Sequence, residues 1–288
     1  MIIRIVFSFI FFSTIYFFIV YDLKGKWFPH HNPWFDNAAI IESFLYSSPD
    51  TFDFVIAGSS LGIQLKKDII SDKVYNLSLA GLGPLQGLGY LRSSNKKTKS
   101  VLIELNRLFV TNNIDFEEYM SSLFNKAIKK NVVFARSKYQ PIRYIGYLFM
   151  ALIDKVKYEI SLLVDFKKEK RNKNVDGIKP EKQTLKYDYG NVDDLLTLLE
   201  AQVDDLLKQE VEVFLFEIPN YKYNKRDKMS NLINKKALEL SLKNKCYFIE
   251  YDKNRKYNTS DGAHLTETSA KQYSEYLKKE LIKIRTNE

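Results

Sequence analysis

Cysteine and histidine are nearly missing from this sequence. Cys246 is the only cysteine in 288 residues, which excludes an intrachain disulfide and a cysteine-rich metal site and leaves the redox compartment open. It opens an apolar strand and reads as core rather than as a nucleophile. Of the three histidines, His30 and His31 sit beside prolines in "WFPHHNPW" and read as solvated loop. His264 is then the one imidazole left to move a proton. Gly-x-Gly-x-x-Gly is missing too, and no acidic residue directly follows the second strand, so the glycines near residue 60 make a poor dinucleotide cradle. No nucleic-acid module motif is present, nor basic residues interleaved with aromatics. Much of the net charge of +9 falls in "FKKEKRNKNVDGIKPEK", Phe166 to Lys182, which reads as a solvated loop. The charge is compatible with an anionic partner such as a membrane surface or an acidic glycan.

One hydrophobic run has membrane length. "MIIRIVFSFIFFSTIYFFIVYDLKGK" carries no charge from Ile5 to Tyr21, the short end of what crosses about 30 Å of hydrocarbon. Bulky residues from Phe17 to Tyr21 stand where a signal peptide would place small ones for cleavage, so the segment reads as an uncleaved single-pass anchor over residues 1–22. Arg4 on one side and Lys24 with Lys26 on the other specify orientation weakly. Residues 23–50 read as a juxtamembrane linker with a short amphipathic helix in "DNAAIIESFLY", capped by Asp36 or Asn37.

With 45% hydrophobic and 14% aromatic residues, the remainder, 51–288, is large enough to bury one sizeable core. Apolar, partly β-branched segments at Asp53–Ala57, Lys73–Leu79, Ser100–Leu105, Val211–Ile218 and Cys246–Tyr251 alternate with helical patterns. Among these, "VDDLLTLLEAQVDDLLKQ" and the stripe Ala270, Tyr273, Leu277 and Leu281 have clear helical spacing. Near-continuous apolar strands between helices predict an α/β fold: a three-layer αβα sandwich around a parallel five-stranded sheet. After the third strand, about 112–190 is far longer than a crossover needs and reads as a helical insertion broken at Pro141. Its apolar stretch "YIGYLFMALI" is too short to span a bilayer. Extra core, a lid or a membrane-lying face are all open readings of the insertion.

Ligands of such sheets bind at the carboxyl ends of the strands. Gly58-Ser59-Ser60-Leu61-Gly62 follows the first strand, and "NLSLAGLGPLQ", with Asn76, Ser78, Gly81 and Gly83, follows the second. Asn106 lies beyond the third, and Asp261 and His264 lie on the turn after the fifth. A serine hydroxyl becomes a nucleophile when an imidazole takes its proton and a carboxylate orients that imidazole. Ser60, His264 and Asp261 supply these types. Backbone N–H groups of Ser60 and Gly81 and the Asn106 amide are candidate oxyanion donors. The plainer alternatives are a helix cap for Ser59 or Ser60, a turn former for Asp261 and a surface position for His264. Glu104 and Glu217, at strand ends, would be possible metal ligands beside Asp261 but read as structural. Neither a metal nor a cofactor is expected.

These blocks resemble the SGNH (GDSL-type) hydrolases. Gly58-Ser59-Ser60-Leu61 is similar to their first block, with Ser59 in place of the usual Asp and Ser60 at the nucleophile. Gly81 matches the oxyanion glycine of the second block, and Asp261-x-x-His264 the last. The third block usually reads Gly-x-Asn-Asp, whereas "ELNR" keeps Asn106 and has Glu104 and Arg107 at the other two positions. The resemblance implies a flavodoxin-like sandwich and a serine esterase or O-acyltransferase. With an anchor and an inserted helical region it resembles proteins that acylate or deacylate cell-envelope polymers. This implies an extracytoplasmic globular domain, a glycan or acyl ester substrate and a partner membrane-bound acyltransferase. The rival expectation is a non-catalytic envelope module that keeps the fold to bind a glycan or a membrane protein.

Overall fold

The computed structural model describes residues 4–5, 7–8, 10–12, 14–15, 33–110, 114–139, 192–219, 228–252 and 254–286. They divide into two compact units, one of residues 33–130 and 187–288 and one of residues 1–32 and 131–186. The second unit is described only at helical positions within 4–15 and at short helical turns such as Val133–Ala135 and Ser137–Tyr139.

The first unit is an α/β sheet domain. Its strands are β1 (Thr51–Ala57), β2 (Val74–Asn76), β3 (Lys97–Glu104), β4 (Glu212–Phe216) and β5 (Cys246–Ile249). They form an all-parallel sheet in the order β2-β1-β3-β4-β5. The helices are α1 (Pro33–Tyr46), α2 (Lys67–Ile70), α3 (Pro84–Arg92), α4 (Ile114–Ser121), α5 (Leu123–Asn131), α6 (Val192–Lys208), α7 (Lys228–Leu240) and α8 (Glu267–Thr286). The expected sheet is present: β2, β4 and β5 are shorter than the apolar runs that predict them, while β1 and β3 begin earlier, at Thr51 and Lys97, where those two residues pair with each other. Past β2, Leu77 N–H still donates to Ile56 and Leu79 N–H to Gly58, so the β2 loop runs alongside the end of β1.

Period-2 alternation sends the sheet residues to two cores. Val55, Ala57, Val101, Ile103, Val213 and Leu215 face one way, against α1, α3, α6 and α7. Phe54, Ile56, Leu102, Phe214 and Phe216 face the other, against α2 and the α8 stripe of Ala270, Tyr273, Leu277 and Leu281. The result is three layers, with the strands' carboxyl ends at one edge.

Two expectations shift. The short helix begins at Pro33, a residue suited to a first helical turn because it lacks the N–H that would go unpaired there. Neither Asp36 nor Asn37 caps it: Asp36 falls in the first turn and Asn37 is buried inside the helix. Nor is α1 linker, since Ala38, Ile41 and Phe44 are fully buried in the domain core. Of the helical insertion, α4 and α5 are described; the Pro141 break and "YIGYLFMALI" lie outside the described residues, as does most of the expected anchor. Among the described residues no helix is long and apolar enough to cross a membrane.

Candidate active site

The turn that carries Ser60, the candidate nucleophile, starts where the apolar run of β1 ends. Gly58 and Ser59 leave the strand buried, Ser60 is half-buried, and the chain tightens into a single 3-10 turn at Gly62–Gln64. His264 arrives on a pinned loop after β5, whose Ala263 and Leu265 share a core cluster with Leu61 and Leu65 of the Ser60 turn. An isolated bridge pairs Thr259 with Leu265. Ser260 N–H donates to His264 O at 2.8 Å and Thr266 N–H to Asn258 O at 2.9 Å. Inside this loop Asp261 Oδ1 accepts the N–H groups of Ala263 (2.9 Å) and His264 (2.8 Å). Asp261 therefore shapes the turn as well as facing the imidazole.

The three side chains meet in line. Asp261 Oδ2 lies 2.7 Å from His264 Nδ1, and His264 Nε2 lies 3.0 Å from Ser60 Oγ. The His264 N–H, then its ring, then the Ala263 N–H hold the Asp261 carboxyl well below the usual carboxylate range. An ionised Asp261 makes Nδ1 the donor, which leaves the Nε2 lone pair facing the Ser60 hydroxyl. Proton transfer from Ser60 Oγ to Nε2 then produces an imidazolium with its carboxylate already in place.

Two backbone donors in the strand-end loops are left over. Among the described residues, the N–H groups of Ser60 and Gly81 have no acceptor within the protein. Gly81 adopts φ +73° with open space where a Cβ would stand, so backbone conformation and not crowding calls for glycine there. Its loop is fixed from α1. Asn37 Nδ2 donates to Ala80 O at 2.9 Å, and Ala80 N–H donates to Asn37 Oδ1 at 2.8 Å. The Ala80 carbonyl and the Gly81 N–H belong to one planar peptide, so gripping the first orients the second. Asn76 joins the two loops: its Nδ2 donates to Gly62 O at 2.8 Å and its Oδ1 accepts Ser78 N–H at 3.1 Å.

Asn106, the expected third donor, is engaged elsewhere. Its Nδ2 donates to Ile218 O at 2.9 Å and its Oδ1 accepts Ile218 N–H at 2.6 Å. This exchange ties the tip of β3 to the segment after β4. Only the second Nδ2 hydrogen is left for an oxyanion.

Glu104 is likewise no metal ligand in this arrangement. It is fully buried, and it accepts Ser59 N–H at 2.7 Å and the Ser59 hydroxyl at 2.9 and 3.0 Å. Burial raises its pKa, opposed by the Ser59 bonds, by the charge of Arg107 and by Gly62 N–H. Among the described residues no cluster of three or more His, Cys, Asp or Glu side chains is placed to hold a metal. Cys246 is buried, and burial pushes its thiol up to about 12, which fits a core residue.

Sequence reasoning placed Ser60, His264, Asp261 and Gly81 at this edge but missed the roles of Asn37 and Glu104. The one clue to Glu104 was a carboxylate standing where the resembling third block has glycine. Asn37 carried no clue, because its partner Ala80 is 43 residues away. No family model matches this chain, and no curated protein matches it.

Proposed function

We propose that this chain is a membrane-anchored SGNH-type serine esterase or O-acyltransferase that acts on acyl groups, acetyl above all, of a cell-envelope polysaccharide. The 3.0 Å approach of His264 Nε2 to Ser60 Oγ, at the strand-end edge of a parallel sheet, carries this reading. Ser60 Oγ attacks the ester carbonyl carbon while its proton passes to His264 Nε2. The tetrahedral oxyanion is held by the N–H groups of Ser60 and Gly81. Collapse breaks the bond to the sugar oxygen, which takes the proton from Nε2 and leaves an acyl-Ser60. Water, or a second sugar hydroxyl, then gives its proton to Nε2 and attacks the acyl carbon, and collapse releases Ser60 Oγ, which takes that proton back from Nε2. Water as acceptor makes the enzyme an esterase, and a sugar makes it a transferase supplied by a membrane-bound acyl donor protein. The uncharged run from Ile5 to Tyr21 supports anchoring, and a domain on the outer side would meet such polymers where they lie.

The test is turnover of an activated acetyl ester by the parent chain, Ser60→Ala and His264→Ala. Both variants are expected to lose the burst and at least about 10³-fold in kcat. Parent-like burst and turnover in both would overturn the mechanism and leave a binding module.

A further inference from the structure

Glu104 is the one fully buried carboxylate at the catalytic edge among the described residues, and the reaction above does not use it. A carboxylate out of water is tolerated only when hydrogen bonds satisfy it. Here the bonds come from the nucleophile turn. Ser59 offers both its N–H and its hydroxyl at 2.7 to 3.0 Å. Ser59 directly precedes Ser60, and its carbonyl accepts Gly62 N–H at 3.1 Å, so the residue the carboxylate grips also closes the turn around the nucleophile. The turn is wrapped tightly around it: a Cβ on Gly58 would stand 2.8 Å from Glu104 Oε2, and one on Gly62 at 3.2 Å. Among the described residues no lysine or arginine forms an ion pair with Glu104.

Two of the three places where this sequence leaves the SGNH pattern are in contact with each other. Ser59 stands where the first block has an acid, and Glu104 stands where the third block has glycine. We propose that Glu104 is the positioning residue of the nucleophile turn and that Ser59 with Glu104 is a transposed acid and small-residue pair, the carboxylate having moved from turn to strand. One carboxylate remains between β1 and β3, reached from the opposite side. The inference rests on the serine-hydrolase reading for its catalytic consequence, but its structural content stands without it.

The experiment uses the full chain with four changes: Glu104→Gln, Glu104→Gly, Ser59→Asp and the double change Ser59→Asp/Glu104→Gly. Two quantities are read, kcat and KM on an activated acetyl ester, and amide hydrogen exchange across residues 58–62. Glu104→Gln removes an acceptor with little change of shape. It should lower kcat by about 10- to 100-fold, the scale of a nucleophile misplaced by about 1 Å, with KM within about twofold. Glu104→Gly should speed exchange in the turn and lower kcat further. The double variant should recover slow exchange and come within about tenfold of the parent kcat, which general loss of packing would not produce. A folded Glu104→Gln with parent kcat and parent exchange overturns the proposal, as does a folded double variant no better than Glu104→Gly. If the exchange pattern follows expectation while the parent shows no Ser60-dependent turnover, positioning stands and the serine-hydrolase reading fails.

Discussion

Asn37 shows how a residue remote in sequence can orient a backbone donor proposed for the oxyanion. Its amide bonds both the N–H and the carbonyl of Ala80, and that carbonyl shares a peptide plane with the Gly81 N–H. Asn37→Ala is expected to lower kcat by up to about 10²-fold, the lower range for loss of one oxyanion donor, with KM nearly unchanged. Losing two buried hydrogen bonds should also cost about 1–3 kcal/mol of stability. Asn37→Asp should fare no better, since a carboxylate faces the Ala80 carbonyl and has no N–H to offer it. A parent-like kcat in folded Asn37→Ala would detach α1 from the chemistry. Asp261 makes a separate prediction through pH. Its folded pKa is depressed, chiefly by the His264 N–H, so its stabilisation is complete above the unfolded value of about 3.9 and is lost as pH falls toward the lower folded value. The melting-temperature gap between the parent and Asp261→Asn should therefore hold steady from pH 7 to about pH 5 and narrow below about pH 4. The gap should be small, because the carboxylate is half exposed. A gap that widens on acidification would contradict the assigned sign.

Between elements, the described part of the insertion is held to the sheet domain by charge as well as by apolar contact. Lys129 on α5 donates to Glu42 on α1 at 2.7 Å with both side chains buried, and also to Tyr119 OH at 2.6 Å. Lys129→Met takes from the buried Glu42 carboxylate the ammonium that faces it, so it should cost about 3–5 kcal/mol, while Glu42→Leu/Lys129→Met should regain most of it. Chemical denaturation of the two variants decides it, and equal losses would mean that the pair is not isolated in energy. This pair illustrates what the sequence does not disclose. The five strands and the α8 stripe were legible because period-2 and period-3.6 burial is written locally. That Ser60, Gly81 and His264 lie at one edge was legible because the carboxyl ends of parallel strands lie together. The roles of Glu104, Asn37 and Asn106 were not, since each depends on which backbone group folding brings near: Ser59, Ala80 and Ile218 lie 45, 43 and 112 residues away. An asparagine at a strand tip reads the same whether it faces the site or staples two strands, and here its amide staples them.

For the whole chain, the domain's starting point separates anchoring from folding. The sheet domain begins with α1, whose Ala38, Ile41 and Phe44 are fully buried. Burying Ile41 and Phe44 alone contributes about 1.5–3 kcal/mol each, against a total stability of only about 5–15 kcal/mol for a typical domain. A chain begun at residue 51 would lose that burial and the Asn37 clamp, and should melt well below the parent or fail to fold. A chain begun at Pro33 keeps both and should retain ester turnover. If residues 1–22 anchor the protein, the full chain stays with membranes through an alkaline carbonate wash and the chain begun at Pro33 is released. A full chain released by the wash would remove the anchor from the proposal without touching the catalytic reading. Conversely, a parent-like melting temperature in the chain begun at residue 51 would show that α1 rests on the domain without supporting it. In that case the orientation of Gly81 would have to be set by the β2 loop and its Asn76 bonds alone.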